Sequence, residues 1–343
     1  MARKIKGKIK NSKTGGGIPG LKVQGWDDDW PDDDDFMGES ITNSNGNYLI
    51  DYTKPGGSGS GQQHWDPSLG HGDTRWRPDI YIRILIKTHR NKWVKLWKSS
   101  VHSNQKLADD LTINQTLTIE DTIEKKTTFQ PQIHGFKFHN SFHGSLILGI
   151  PIGNFTMGFC GGMVGGALHR FNKHPQELPP NDTTPPIEGT NLYSELYRRL
   201  VISLTTPTPI IDNIIEWQNS PDVSHAQTLH SVGYRTRSHW YKLKDEIDRG
   251  KPTPIVVITK EGAFSDYFDN HQVLAIGYKF NPTTKDVWID VYDPNHPNQT
   301  PQIYMNVGLP NCKLDTTYTH SISGGRVRGF FINPNAASMS ANI

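Results

Sequence analysis

Apolar and polar residues alternate with period two through the first part of the chain. Lys4 to Lys10, Leu21 to Trp26, Ile41 to Asp51, Asp79 to Lys87 and Trp93 to Trp97 each place their apolar side chains on one face. That spacing predicts half-buried strands, and the Gly, Pro and Asn breaks between them predict turns. Asn43 to Asn47 is one such turn, with Gly46 the residue free to take positive φ. Two segments break the alternation. Asp27 to Asp35 is an acidic run, and Pro55 to Arg77 is a Gly- and Ser-rich insertion long enough to be functional. Residues 1–125 therefore read as an all-β sandwich.

The texture changes beyond residue 132. Thr122 to Gln132 is polar, and residues 126–132 read as a linker. Cys160 to Asn172 carries Met163, Val164, Ala167, Leu168 and Phe171 at helical spacing. Asn191 to Leu204, Ile210 to Gln218 and His239 to Arg249 fit three more helices, the last stopped by Gly250. Strands follow at Pro254 to Thr259, His271 to Phe280, Val287 to Tyr292, Gln302 to Val307 and Arg326 to Ile332. Helices first and antiparallel strands after predict an α+β second domain over residues 133–335.

Composition agrees with two domains: the chain has 343 residues, with 32 Gly and 23 Pro to supply turns. A net charge of +2 gives no global field that would draw the chain to nucleic acid or a membrane surface. No run of about 18 apolar residues is present, so no membrane-inserted helix is expected. The basic start, Met1 to Lys10, lacks the apolar segment of a signal peptide. The expected product is soluble and cytoplasmic as made, with export by a signal-independent route left open. Cys160 and Cys312 are the only cysteines, too few for a disulfide framework.

Candidate chemistry centres on Cys160, within Gly158 to Met163, where a loop gives way to a helix. A thiolate at a helix start is stabilised by the positive end of the dipole. Gly161 and Gly162 suggest an open flank for a substrate. His271 opens an apolar strand, and the next strand ends at Asp293. A short turn between the two would set Asp293 beside the imidazole. Taken singly, each residue also fits a structural role. The order Cys, His, Asp in these contexts is more specific than any member.

Other signals are weaker. Asp27, Asp28, Asp29, Asp32, Asp33, Asp34 and Asp35 offer oxygen ligands for Ca²⁺ but lack EF-hand spacing, and read as a solvated loop. His64, Asp66, His71 and Asp73 lack the spacing of a metal motif. His225, His230 and His239 read as packing or surface residues, and Cys312 as non-catalytic.

Two family resemblances follow from these residues. Gly17 to Gly20, Val23 with the Asp27 to Asp29 run, Met37 to Ser40, Asn45 to Tyr48 and Pro78 to Ile80 resemble the transthyretin-like sandwich family. That resemblance implies a fold and a module that docks a partner or delivery protein. Cys160 opening a helix, His271 leading a strand that reaches Gly277-Tyr278, and Asp293-Pro294 one strand later resemble papain-like cysteine peptidases, particularly the double-glycine leader peptidase branch. The likeness spans residues 135 to 334, including Trp240 to Ile258. It implies a Cys160–His271–Asp293 triad acting on a protein or peptide substrate through a thioacyl enzyme, with no metal or organic cofactor. The family places a Gln six positions before the nucleophile as oxyanion donor; Asn154 stands there, with the same donor on a shorter arm. A bacterial effector or toxin is a setting suggested by analogy. A transglutaminase or deamidase using the same residues, or a binding protein with a degenerate peptidase fold, are the alternatives.

Overall fold

A computed structural model describes residues 4–28, 34–52, 78–89, 91–103, 105, 110–147, 150–174, 176–222, 231–262, 270–308, 316–317 and 326–343, without the side chains of 145–157, 316–317 and 326. The chain divides into two compact units. One holds Met1–Asp121 with Pro282–Thr284, and the other holds Thr122–Asn281 and Lys285–Ile343.

The first unit is all β. Its strands are β1 (Lys4–Asn11), β2 (Lys22–Asp27), β3 (Asp35–Ile41), β4 (Asn47–Asp51), β5 (Ile80–Lys87), β6 (Trp93–Lys98), β7 (Leu111–Thr112) and β8 (Gln115–Leu117). One sheet runs β4-β1-β7, with β8 also on β1; the other runs β3-β2-β5-β6. The alternate apolar residues of both sheets share one core, including Ile5, Ile9, Val23, Met37, Tyr48, Ile50, Ile82 and Ile84. The turn after β3 forms as its sequence predicts: the Asn43 carboxamide accepts from the N–H groups of Asn45 and Asn47, and Gly46 has φ 76°.

Part of the acidic run departs from the predicted loop. Asp35 begins β3, whose Met37 points into the core, so the pairing of β3 with β2 overrides the low strand propensity of Asp. Asp27 closes β2 and accepts from the N–H of Asp79 at 2.7 Å. Asp34 accepts from the Tyr81 hydroxyl and from Arg83. Residues 29–33 and 53–77 lie outside the described residues, and with them Asp29, Asp32, Asp33, His64, Asp66, His71 and Asp73.

The second unit mixes helix and sheet. In order it contains β9 (Ile123–Lys126), α1 (Pro131–His134), the hairpin β10 (Phe142–Ile147) and β11 (Ile150–Met157), α2 (Cys160–Lys173), α3 (Asn191–Thr205), α4 (Ile211–Asn219) and α5 (Val232–Asp248). Then come β12 (Thr253–Ile258), β13 (His271–Phe280), β14 (Asp286–Tyr292), β15 (Gln302–Asn306), β16 (Thr316–Thr317), β17 (Arg326–Val327), β18 (Gly329–Ile332) and α6 (Ala336–Met339). The main sheet runs β15-β14-β13-β12-β18, and β9 also pairs with β13. All its pairings are antiparallel.

The burial of β13 on both faces explains its unbroken apolar run. Val273 and Ala275 pack with Trp240, Leu243 and Ile247 of α5, while Leu274 and Ile276 pack with Met163, Val164 and Ala167 of α2 and Leu196 of α3. Helices thus cover both faces of the central strand.

Two sequence expectations need correction here. Ile123–Lys126, read as the end of the first domain and the start of a linker, is a strand of the second unit, hydrogen-bonded along Gly277–Phe280. Its four residues are all exposed, so no apolar alternation marked it; the backbone ladder holds it. Phe129 and His134, in and just past the predicted linker, are likewise buried. Helix α5 starts at Val232 instead of His239, because Ser231 caps it and Val232 and Thr236 are buried beneath it. Among the described residues no helix is long and apolar enough to cross a membrane.

Candidate active site

Helix α2 begins at Cys160 because the residue before it is anchored. Phe159 is buried, stacked on Phe142 at 4.2 Å between ring centroids and edge-on to Tyr193 at 5.1 Å. Cys160 follows as the first helical residue, partly exposed, with Gly161 to Arg170 buried behind it. The glycines after Cys160 have a packing role that corrects the open flank expected from sequence. A Cβ on Gly162 would lie 2.0 Å from the carbonyl oxygen of Leu196, and one on Gly161 would lie 2.3 Å from Oγ of Ser203. They let α3 and β13 approach the helix that begins at Cys160 closely.

His271 is the first residue of β13 and is buried, next to the strand pair that carries the candidate acid. Leu274 pairs with Tyr292, so Asp293, one residue past β14, comes level with the start of β13. Nε2 of His271 lies 2.7 Å from Oδ1 of Asp293, and Asp293 has no exposed surface. The other ring nitrogen, Nδ1, is not engaged by Asp293, and the Cys160 sulfur lies close enough to the ring to raise its pKa. Sequence separations of 111 and 22 residues (271 − 160 and 293 − 271) thus close into one cluster.

The electrostatics of the three groups agree in sign. Burial alone would push the Cys160 thiol up; the hydrogen bond and charge of His271 and the N–H groups of Gln272 and Gly161 outweigh it, and the thiol pKa is lowered. Burial alone would push His271 down; the charge and hydrogen bond of Asp293, then the Cys160 sulfur, carry it up to about 10. Asp293 is held below the usual carboxylate value because His271, the Asn295 N–H and His296 overcome its burial. A thiolate beside an imidazolium is the state these shifts favour.

The start of β13 is fixed from below by a buried amide network. Gln272 donates to Oγ of Ser203 at 3.0 Å and accepts from Nδ2 of Asn333 at 2.9 Å. Asn333 and Asn335 both donate to the Ser203 carbonyl. Each of these four side chains is at most 4% exposed. On the other side, Asn295 donates its N–H to Oδ1 of Asp293 at 2.8 Å, and Asn140 donates to the Asn295 side chain at 3.0 Å. Sequence reading missed Gln272, Ser203, Asn333 and Asn140, since Asn and Gln in loops and strand starts carry no spacing that links them. Asn295 follows Pro294 and its side chain faces Asn140.

Asn154 lies on β11, and its side chain falls outside the described residues. Cys312, His225 and His230 are also outside them. His239 is a packing residue: its Nδ1 accepts from the Ile332 N–H, and burial, with Lys242, pushes its pKa down to about 4. Among the described residues no three His, Cys, Asp or Glu side chains are grouped to hold a metal ion.

No family model and no curated protein matches this chain. Among solved structures, an (S)-allantoin synthase aligns at 9% identity and TM-score 0.20 over 33% of this chain and 39% of that one. A 9R-lipoxygenase from Cyanothece PCC8801 aligns at 15% identity and TM-score 0.21 over 88% of this chain and 41% of that one. A DUF3823 family protein from Bacteroides uniformis ATCC 8492 aligns at 8% identity and TM-score 0.20 over 97% and 96%. The chain thus spans about two fifths of the first two proteins, and TM-scores this low assign no fold.

Proposed function

We propose that the second unit is a papain-like thiol hydrolase that cleaves a peptide or other amide bond, with Cys160 as nucleophile, His271 as acid and base, and Asp293 as the group that orients His271. The observation that carries the reading is the gathering of Cys160, His271 and the buried Asp293 into one cluster, with His271 2.7 Å from Asp293 and electrostatically coupled to the Cys160 sulfur. The first unit would then be a transthyretin-like module that docks a partner.

In this reading the Cys160 thiolate attacks the carbonyl carbon of the scissile amide. The oxyanion is met by the Cys160 N–H, which as a first-turn amide has no intrahelical acceptor. The C–N bond breaks as Nδ1 of His271 delivers its proton to the departing amine, leaving a thioester on Cys160. A water then gives its proton to His271 and attacks the thioester carbonyl. The acid product leaves, and the sulfur returns to the thiolate. An amine in place of water would give transamidation by the same steps.

The test has two parts. Iodoacetamide at pH 6 should alkylate Cys160 rapidly in the wild type and slowly in His271→Ala, because an ordinary thiol is protonated there. Mass-spectrometric comparison of lysate proteins treated with wild type or Cys160→Ala should then reveal new termini or altered side-chain amides made only by the wild type. Slow alkylation of wild-type Cys160 at pH 6 would overturn the reading.

A further inference from the structure

The loop before β10 holds a residue that touches both sides of the candidate site. Oδ1 of Asn140 accepts from the N–H of Phe159 at 2.5 Å, and its Nδ2 donates to Oδ1 of Asn295 at 3.0 Å. Its own N–H donates to the carbonyl of Pro294 at 3.2 Å. The orientation of the carboxamide is fixed chemically: a backbone N–H only donates, so the oxygen must face Phe159 and the NH₂ must face Asn295. Phe159 is the residue before Cys160. Asn295 is the residue whose N–H holds Oδ1 of Asp293 at 2.8 Å. Gly158 leaves room for this bridge, since a Cβ there would lie 2.6 Å from Nδ2 of Asn140.

We propose that Asn140 is a positioning residue that straps the Asp293 loop to the entry of the Cys160 helix, setting the distance between the thiol and the His271–Asp293 pair. Nucleophile and acid stand on different elements, α2 and the end of β14; Tyr292, just before Asp293, shares a core with Met163 and Val164 of α2, while the polar link from Asp293 runs through the His271 side chain. A second tie at backbone level removes the freedom of the two elements to slide apart. That matters because small displacements between reacting groups cost rate steeply. Asn140 touches neither Cys160 nor His271, so it acts through Phe159 and Asn295. The proposal rests on the thiol-hydrolase reading of the same cluster.

The experiment measures the iodoacetamide rate of Cys160 against pH, with melting temperature, for the full chain and the variants Asn140→Ala, Asn140→Asp, Asn295→Ala and the Asn140→Ala/Asn295→Ala pair. The groups that act electrostatically on His271 and Asp293 are one another, the Cys160 sulfur and His296; the Ala variants add no charge beside them, whereas Asn140→Asp adds a carboxylate next to Asn295, so its profile is read against that of Asn295→Ala. Asn140→Ala should slow alkylation at pH 6 by roughly five- to tenfold, the weight of a lost hydrogen bond, and shift the midpoint of the profile upward. Asn140→Asp keeps the acceptor for Phe159 but loses the donor to Asn295, and should fall between. The double variant should be no slower than Asn140→Ala, because the Asn295 side chain acts through the same strap. If Asn140→Ala lowers the melting temperature so far that it is unfolded at assay temperature, Asn140→Asp and Asn295→Ala carry the test. Fast wild-type alkylation with an unchanged profile in Asn140→Asp and Asn295→Ala, or multiplicative losses in the double variant, overturns the strap alone. Slow wild-type alkylation overturns the hydrolase reading and the strap with it.

Discussion

Nε2 of His271 stands 2.7 Å from Oδ1 of Asp293, while Oδ2 of the same buried carboxylate has no hydrogen-bond partner among the described residues. A buried carboxylate is costly unless its charge is compensated, and here the compensation is mainly the protonated ring. The pair therefore holds His271 in one orientation. Asp293→Ala should lower kcat by roughly 10²–10⁴-fold, as losing the orienting acid of a hydrolytic triad does. Asn295→Ala keeps the backbone N–H on Asp293 and loses only the side-chain contact with Asn140, so its loss should stay within about tenfold. kcat/KM for both variants on one substrate decides between them, and a larger loss for Asn295→Ala would move the orienting role there.

The same pair makes stability depend on pH. His271 is raised from its ordinary 6.5 to about 10, so its charged form favours the folded state. That contribution is complete below pH 6.5, declines as pH rises and is gone above about 10. Asp293 is lowered from 3.8, so its contribution is present above that value and lost as pH falls through the folded one. The difference in melting temperature between wild type and His271→Gln should thus be largest near pH 5–6 and shrink steadily toward pH 10. A difference that grew with pH would mean that His271 is neutral in the folded protein.

How much of this was legible in the chain depends on the kind of signal. Period-two alternation found β1, β2, β5 and β6 within a residue or two, and helical spacing found α2, α3 and α4 nearly to their ends. The places of Cys160, His271 and Asp293 at element boundaries were legible because each has a distinctive neighbour. β3 and β9 were not: the first begins in an acidic run and sends Met37 into the core, the second buries nothing, and backbone pairing that no apolar pattern records helps hold both. The hairpin of β10 and β11 was missed too. The glycines after Cys160 were visible but misread, since a glycine in sequence says only that a side chain is absent. What occupies the space, Leu196 and Ser203, is known only from the packing.

Those glycines give a stability prediction. Gly162→Ala forces a Cβ to 2.0 Å from a backbone carbonyl in α3, which moves only if the helix moves. Gly161→Ala meets the Ser203 hydroxyl and the Gln272 amide, side-chain atoms able to shift at the cost of their buried hydrogen bonds. Both should destabilise, by about 1–3 kcal/mol for overpacking, with Gly162→Ala the worse. Equilibrium urea unfolding of the two variants gives the order, and the reverse order would mean that α3 yields more easily than the amide network.

The network itself is testable at Gln272. Gln272→Ala leaves the Ser203 hydroxyl without one partner and removes the acceptor from Asn333, both in buried surroundings. Stranding them should cost about 1–3 kcal/mol. The Gln272 backbone N–H that faces the Cys160 sulfur is retained, so alkylation of the folded fraction at pH 6 should change little. A large loss of thiol reactivity at unchanged stability would show that the side chain, and not the backbone, sets the position of the strand start.

The boundary between the units offers the last test. A fragment cut at residue 133, where apolar texture alone would begin the second domain, loses all of β9 and Phe129. β9 pairs with Gly277–Phe280, the half of β13 beyond its pairing with β12, so its removal bares a row of backbone groups on the central strand. Thr127 goes as well: its hydroxyl donates to the Ile276 carbonyl at 2.9 Å, and its N–H to the same oxygen at 2.8 Å. Phe129 packs against Tyr292 at 5.6 Å between centroids, and Tyr292 is the residue immediately before Asp293. The damage therefore reaches both strands that carry the candidate pair. A fragment of residues 122–343 keeps every one of these contacts. It should fold alone and show wild-type alkylation of Cys160 at pH 6, whereas 133–343 should be aggregated or slow to react. Circular dichroism and iodoacetamide rates on the two fragments measure this, and equal behaviour of the pair would mean that β9 is an ornament on the sheet and that the shorter boundary is the true one.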